Sequence, residues 1–281
     1  MTDDEKRKAF DKEQKKVIEE FETLSKESLT LLNRLFNEAR EQIKFLLRIN
    51  PSEYNLWLLG ELESQIKAVM DQVAAQSATN AQDAIARGWA LGEALSDRPL
   101  QAAGLTIAGV APAIDTRQLA ALQHVTTRKI AGVTRIMADK IDTQLGLVMM
   151  GVQPLDMAIT VITNILDEAE RSRAIAILRT EISRANSIAS DLRKRSAATV
   201  LPGMKKQWRK GARKHPRETH VFADGQVQAL DDPFMIGSVP MMYPHDPNAP
   251  VGEVINCGCM SLPYMDHWEM SAPTTRKPPV T

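Results

Sequence analysis

A chain of 281 residues with 43% hydrophobic side chains has room for two modest domains and enough apolar surface to bury a real core. Its 35 lysines and arginines balance 35 aspartates and glutamates, so no global field draws it to nucleic acid or membrane, and any such attraction must be local. Two cysteines spaced Cys-x-Cys exclude a disulfide framework and fit a reducing, cytosol-like compartment.

The opening MTDDEKRKAF is charged and lacks an apolar h-region, which argues against a cleaved secretion signal. From Phe10 to Leu47 the residues Phe10, Val17, Phe21, Leu24, Leu32, Leu35, Ala39, Ile43 and Leu46 recur at helical steps and predict a long amphipathic helix. Asn50-Pro51 ends it, with Asn50 able to cap a second helix carrying Tyr54, Leu58, Leu62, Ile66, Met70 and Val73 and continuing toward Trp89 and Leu95. Residues 1–96 therefore read as a helical arm or bundle. Residues 97–115, with two prolines and two glycines and no clean period, read as a hinge or loop. The longest uncharged stretch, Leu100 to Ile114, is too short to span a bilayer, where about 20 apolar residues are needed, so membrane association is not expected.

Helical patterning returns over 116–200, interrupted at Gly151-Val152-Gln153-Pro154. In its last segment Ile175, Leu178, Ile182, Ala185, Ala189 and Leu192 form the core stripe, while Arg179, Glu181, Arg184 and Asn186 occupy other faces. The pattern stops at Pro202-Gly203, and 201–265 reads as a small mixed α/β region followed by a tail at 266–281. Within it THVFADGQVQAL alternates around Asp224-Gly225, a hairpin signal. The fold class is mainly α: an elongated helical N-terminal region with a small, loop-rich α+β C-terminal domain.

Three groups of residues can carry chemistry. Cys257 and Cys259, with His215, His220, His245 and His267, supply ligand types that suit zinc, although the spacing is not that of a zinc ribbon; the competing reading is two thiols packed under the terminal loop. Lys205, Lys206, Arg209, Lys210, Arg213, Lys214 and Arg217 can neutralise phosphates, with Trp208 among them to stack or pack, whereas such runs are commonly solvated faces. Catalytic signatures are absent, since there is no Walker loop, Gly-x-Ser-x-Gly or His-Glu-x-x-His, and no catalytic residue is assigned.

The ordered set RAIAILRTEISRAN (Arg173 to Asn186), Gln207-Trp208, RETHVFADGQ (Arg217 to Gln226), Asp232 to Phe234 and INCGC (Ile255 to Cys259) resembles the phage Mu F-like head morphogenesis family, the minor head proteins of tailed bacteriophages. The resemblance covers roughly residues 115 to 262 and rests on Arg179, Thr180, Glu181, Trp208, Asp224, Gly225 and Asn256 together with the cysteines. It departs from the family where Arg217 and His220 stand at an earlier Cys-x-x-Cys, Val254 stands in place of a histidine and Gly258 replaces an arginine. The metal ligands then left in place are His220, Cys257 and Cys259, with His245 as a fourth. What the resemblance implies is a non-enzymatic virion component made in the host cytoplasm. It would bind the portal protein and capsid or scaffolding proteins, with DNA as a further contact, and act in head assembly and DNA packaging or delivery. The alternatives are an F-like toxin-related enzyme or a DNA-binding protein.

Overall fold

The computed structural model describes residues 1–49, 56–107, 109–167, 169–211 and 215–266. Long helices dominate it: α1 (Asp3–Ile49), α2 (Leu56–Ala102), α3 (Arg117–Met149), α4 (Leu155–Asp167) and α5 (Ala169–Ala198). A small C-terminal region follows, with β1 (Lys205–Arg209), α6 (Glu218–Phe222), β2 (Val227–Ala229), β3 (Phe234–Ile236), β4 (Val239–Met241), α7 (Val251–Val254) and β5 (Met260–Tyr264). The expected mainly α class with a small α+β end is what the chain adopts. None of the described helices is long and apolar enough to cross a membrane.

A capping box starts α1: the Glu5 N–H donates to Thr2 Oγ1 and the Thr2 N–H donates to a Glu5 carboxylate oxygen at 2.8 Å. The predicted stripe of α1 is buried, except that Leu47 takes the place expected for Leu46. The Asn50-Pro51 break and Tyr54 lie outside the described residues. α2 runs further than expected, through Pro99 to Ala102, so the irregular segment begins at Ala103 rather than at Asp97. Leu95, Leu100 and Ala103 are all buried there, and burial of a helical face outweighs the weak helix-breaking preference of the local sequence.

The chain divides into two compact units that are discontinuous in sequence: 1–24, 85–120 and 180–281 in one, 25–84 and 121–179 in the other. No unit boundary falls at residue 200, where the helical pattern stops. The second unit is helical, with Leu32, Phe36, Ile43, Leu62, Ile66, Met70, Ile130, Val133, Met137, Ile141 and Ile162 in its interior. Within it, Asn80 Nδ2 donates to the Ser28 carbonyl at 2.9 Å, and Arg171 donates to Asn33 and Asn37, tying α2 and α5 to α1.

In the first unit α5 is enclosed on nearly every side between Thr180 and Lys194, including the polar faces that the sequence pattern assigned to the outside. Gly88 and Gly92 let α2 close onto it: Asn186 Nδ2 donates to the Gly88 carbonyl at 3.2 Å, and a Cβ on Gly92 would lie 2.4 Å from the Asn186 carbonyl oxygen. Elsewhere on α5, Ser190 Oγ and Lys194 Nζ both donate to the Ser261 carbonyl, at 3.1 and 2.8 Å, and Lys194 Nζ also donates to Ser261 Oγ at 2.6 Å. β5 therefore docks on α5 and pairs antiparallel with β1, Lys205 opposite Tyr264 and Arg209 opposite Met260. β1 in turn pairs with β2, giving the order β2-β1-β5, beside a separate β3-β4 ribbon. The sequence expected a hairpin at Asp224-Gly225. Instead the turn joins α6 to β2, because the Gly225 N–H and the Gln226 carbonyl bond to the Trp208 backbone and commit the outgoing strand to β1.

Two outcomes test this packing. Gly92→Ala is expected to lower stability by about 1–3 kcal/mol through overpacking against Asn186 and Ala189, despite its gain of helix propensity. Gly60→Ala, an exposed α2 position with nothing within 4 Å of the new methyl, is expected to raise it by up to about 1 kcal/mol; equal shifts in urea unfolding would contradict the close α2–α5 contact. Lys194 provides the second test. Burial pushes its pKa down to about 7, against the pull of Asp191. Below that pH both folded and unfolded chains hold the proton and the folded state carries the whole burial cost. Between about 7 and the usual lysine value near 10.4 only the unfolded chain binds it, so stability gains up to about 1.4 kcal/mol per pH unit from this group. Wild type should therefore gain stability relative to Lys194→Met as pH rises from 7 to 10, and a pH-independent difference would contradict the burial of the charge.

Candidate metal centre

The C-terminal core gathers Trp208, Ala223, Phe234, Ile236, Met241, Val254, Cys257 and Cys259. Strand alternation on β1 explains Trp208. The residues of KKQWR point alternately to opposite faces, so Lys206 and Trp208 turn inward while Lys205, Gln207 and Arg209 face outward. Trp208 is fully buried, edge-on to Phe234 (centroids 5.3 Å apart) and to His220 (5.7 Å). His220, on the short helix α6, is thereby held against the segment that carries both cysteines.

His220 Nδ1 lies 3.3 Å from Cys259 Sγ and 3.5 Å from Cys257 Sγ, and the three ligand atoms all fall within 4.8 Å of one another. All three residues are buried. Two thiols and an imidazole are the donor types of a tetrahedral zinc site, in which bonds of about 2.3 Å to sulfur and 2.0–2.1 Å to nitrogen place N and S roughly 3.5 Å apart. The observed N–S separations of 3.3 and 3.5 Å are close to that edge, so the donor types and spacing suit a metal.

The thiols are also electrostatically prepared. The hydrogen bond from Cys257 pulls the Cys259 pKa down to about 5 against burial, with the His220 ring and the Gly211 N–H adding to the effect. Cys257, which supplies that proton, is pushed up by the same bond and by burial. Burial works to lower the His220 pKa, but its bonds to Cys259 and Glu253 outweigh it and the ring's pKa lies above the usual histidine value. One proton thus leaves the sulfur pair readily, and a cation held between the sulfurs would take the place of the other.

His245, expected as a fourth ligand, is not in the cluster. It sits at φ 67° and its Nε2–H donates to the Cys257 carbonyl at 3.1 Å, so it braces the cysteine backbone rather than facing the sulfurs. Its own carbonyl accepts from Arg184 Nε (3.3 Å), and Arg184 forms a bidentate pair with Glu181 at 2.7 and 2.6 Å. The Asn256 N–H donates to Thr180 Oγ1 at 3.2 Å, which seats the φ 55° turn before Cys257 on α5. Arg179, next to Thr180, is half-buried. Asp224 Oδ1 accepts the Lys210 N–H at 2.8 Å, and Gly225, at φ 85°, supplies the turn that follows. Most of the resemblance residues thus act as brackets that locate the His-Cys-Cys cluster. Sequence reading missed Glu253 and Gly211, neither of which stands in a recognisable ligand motif.

The basic run does not form one face. Lys206 is fully buried, its Nζ donating to the Met242 carbonyl at 2.8 Å and lying 5.0 Å from the centre of the Phe234 ring. Lys205 pairs with Asp266 at 2.7 Å, and Arg217 donates to the Ile255 carbonyl at 2.7 Å. Arg209 is exposed and Lys210 half-buried, whereas Arg213 and Lys214 lie outside the described residues, as does His267. His215 is exposed and apart from the cluster.

No family model matches the chain, and no solved structure matches it. Among curated proteins it is similar to the uncharacterized protein YqbB of Bacillus subtilis (strain 168), 37% identical over 103 residues. That match covers 35% of this chain and 32% of YqbB, about a third of each.

Gly211 reports on the cluster directly, because a Cβ there would lie 2.1 Å from the Gly258 carbonyl oxygen, between the two cysteines. Gly211→Ala is expected to unfold the Cys-Gly-Cys turn locally, which amide hydrogen exchange at 257–259 would register; unchanged protection would contradict this close approach. Lys206→Ser should cost more than 1 kcal/mol of stability by stranding the Met242 carbonyl and emptying a packed site, unlike the exposed Arg209→Ser, which should stay within about 0.5 kcal/mol.

Proposed function

We propose that the chain is a structural component of a phage virion, a minor head protein associated with the portal vertex, and that its C-terminal lobe is stapled by a zinc ion on His220, Cys257 and Cys259. The observation that carries this reading is the convergence of the F-like motif. Thr180, His220 and the Asn256–Cys259 segment are far apart along the chain, yet Thr180 of α5 holds the Asn256 turn and His220 joins the two cysteines in one cluster of thiols and imidazole. A motif whose members bracket and build a metal cluster is a device for holding a small lobe together, and small lobes with little core of their own need such staples. Zinc there would supply folding energy rather than chemistry. The cluster is buried beneath the apolar packing of Trp208 and Phe234, as the closed coordination of a structural zinc requires.

In this reading the long helices present surface for assembly with the portal and neighbouring head proteins, and the zinc-bound lobe is a rigid terminal unit. Mass spectrometry of purified virions is expected to find the protein as a stoichiometric minor component that co-purifies with portal. Its absence from virions, or normal yield and infectivity after deletion, would overturn the role. The purified full-length chain is expected to carry about one zinc per molecule, lost together with thermal stability in Cys257→Ser or Cys259→Ser. Metal-free protein of unchanged Tm would overturn the staple.

A further inference from the structure

The His220 ring is gripped from two sides by one short stretch of chain. On its Nδ1 side are the sulfurs of Cys257 and Cys259; on the opposite edge Nε2 lies 2.7 Å from Glu253 Oε2. Glu253 belongs to α7 and Cys257 to the turn that directly follows it, so carboxylate and thiolates are carried by a single continuous segment, 253–259. Glu253 is itself steadied by Thr219 Oγ1, which donates to the same carboxylate oxygen at 3.3 Å from the residue next to His220. The histidine side chain is almost entirely enclosed, with 3% exposure against 22% for Glu253, so this contact is no loose surface pair.

We infer that Glu253 is a positioning residue of the metal centre, fixing His220 in the tautomer and orientation that aim an Nδ1 lone pair at the site between the sulfurs. This rests on the zinc reading above. A carboxylate accepts but does not donate, so it selects the ring form with hydrogen on Nε2 and leaves Nδ1 as the donor atom for a metal. The five-residue helix α6 is too short to hold a side chain rigidly by its own backbone, and Trp208 constrains the ring only by edge contact. The hydrogen bond to Glu253 is therefore what sets the ring's rotation about its own axis. Glu253 is not a ligand, because its oxygen lies across the imidazole from the sulfurs. Outer partners of this kind change metal affinity by about 10–100-fold when removed.

The test is zinc affinity of the full-length chain, measured by competition with a chromophoric chelator, for wild type, Glu253→Ala and Glu253→Gln. Cobalt(II) absorption of each gives the coordination directly. Glu253→Ala is expected to bind zinc 10–100-fold more weakly and to shift the cobalt ligand-field bands. Glu253→Gln, whose amide oxygen can accept the same N–H, should recover part of the loss, which a merely structural role at an exposed helix end would not predict. Zinc affinity of Glu253→Ala within twofold of wild type, or Glu253→Gln as weak as Glu253→Ala, would overturn the inference while leaving the zinc centre standing. Wild type that binds neither zinc nor cobalt would overturn both. Should Glu253→Ala fail to fold by circular dichroism, long-range nitrogen–proton NMR of the His220 ring in zinc-loaded wild type decides: hydrogen on Nδ1, with Nε2 the metal-bound nitrogen, would overturn the tautomer assignment.

Discussion

Lys194 places an amine where water cannot reach it, and the carbonyl and hydroxyl of Ser261 make that tolerable. A buried polar group without partners is costly, and more so when charged, so the two bonds from Lys194 to Ser261, with the third from Ser190, oblige β5 to lie against α5 in one register. Everything in the C-terminal lobe inherits that register. β5 fixes β1, β1 carries Trp208 inward, Trp208 packs on His220, and Cys259 is the residue immediately before β5 begins. A slip of one residue would turn each of these side chains to the opposite face.

An adjoining face of α5 obeys a different constraint. There the requirement is closeness rather than charge, and glycines at 88 and 92 meet it by leaving room for Ile182, Asn186 and Ala189. α5 is therefore a helix whose polar and small residues are enclosed along with its apolar ones, held by hydrogen bonds on one face and by backbone proximity on the next.

That combination explains what could be read in advance. The helices were legible because their large apolar residues recur with helical period, as Phe21, Leu24, Leu32 and Ile43 do, and periodicity needs no knowledge of partners. The enclosure of Glu181 and Asn186 was not, because polar residues bury only when a specific partner waits for them, here Arg184 and the Gly88 carbonyl. His220, Cys257 and Cys259 were recognisable by chemical type, whereas the placements of His245 and Glu253 depend on backbone shape: the φ 67° turn points the His245 ring at a carbonyl, and α7 delivers the Glu253 carboxylate to His220. The burial of Lys206 within the basic run was not legible because charge was counted along the chain, while a strand divides its residues between two faces.

The discontinuity of the two units bears on how the protein comes into being. Met1–Leu24 is made long before the residues from Thr180 onward with which it shares a unit. Phe10 illustrates the delay: its apolar cluster includes Val200, Leu201, Met204 and Met265, so its face of α1 stays partly uncovered until those residues have been made. Contacts of such long sequence separation slow folding and lengthen the exposure of sticky surface. The second unit has all of its segments once residue 179 is made, so a chain stopped short of β5 would leave the first unit alone incomplete.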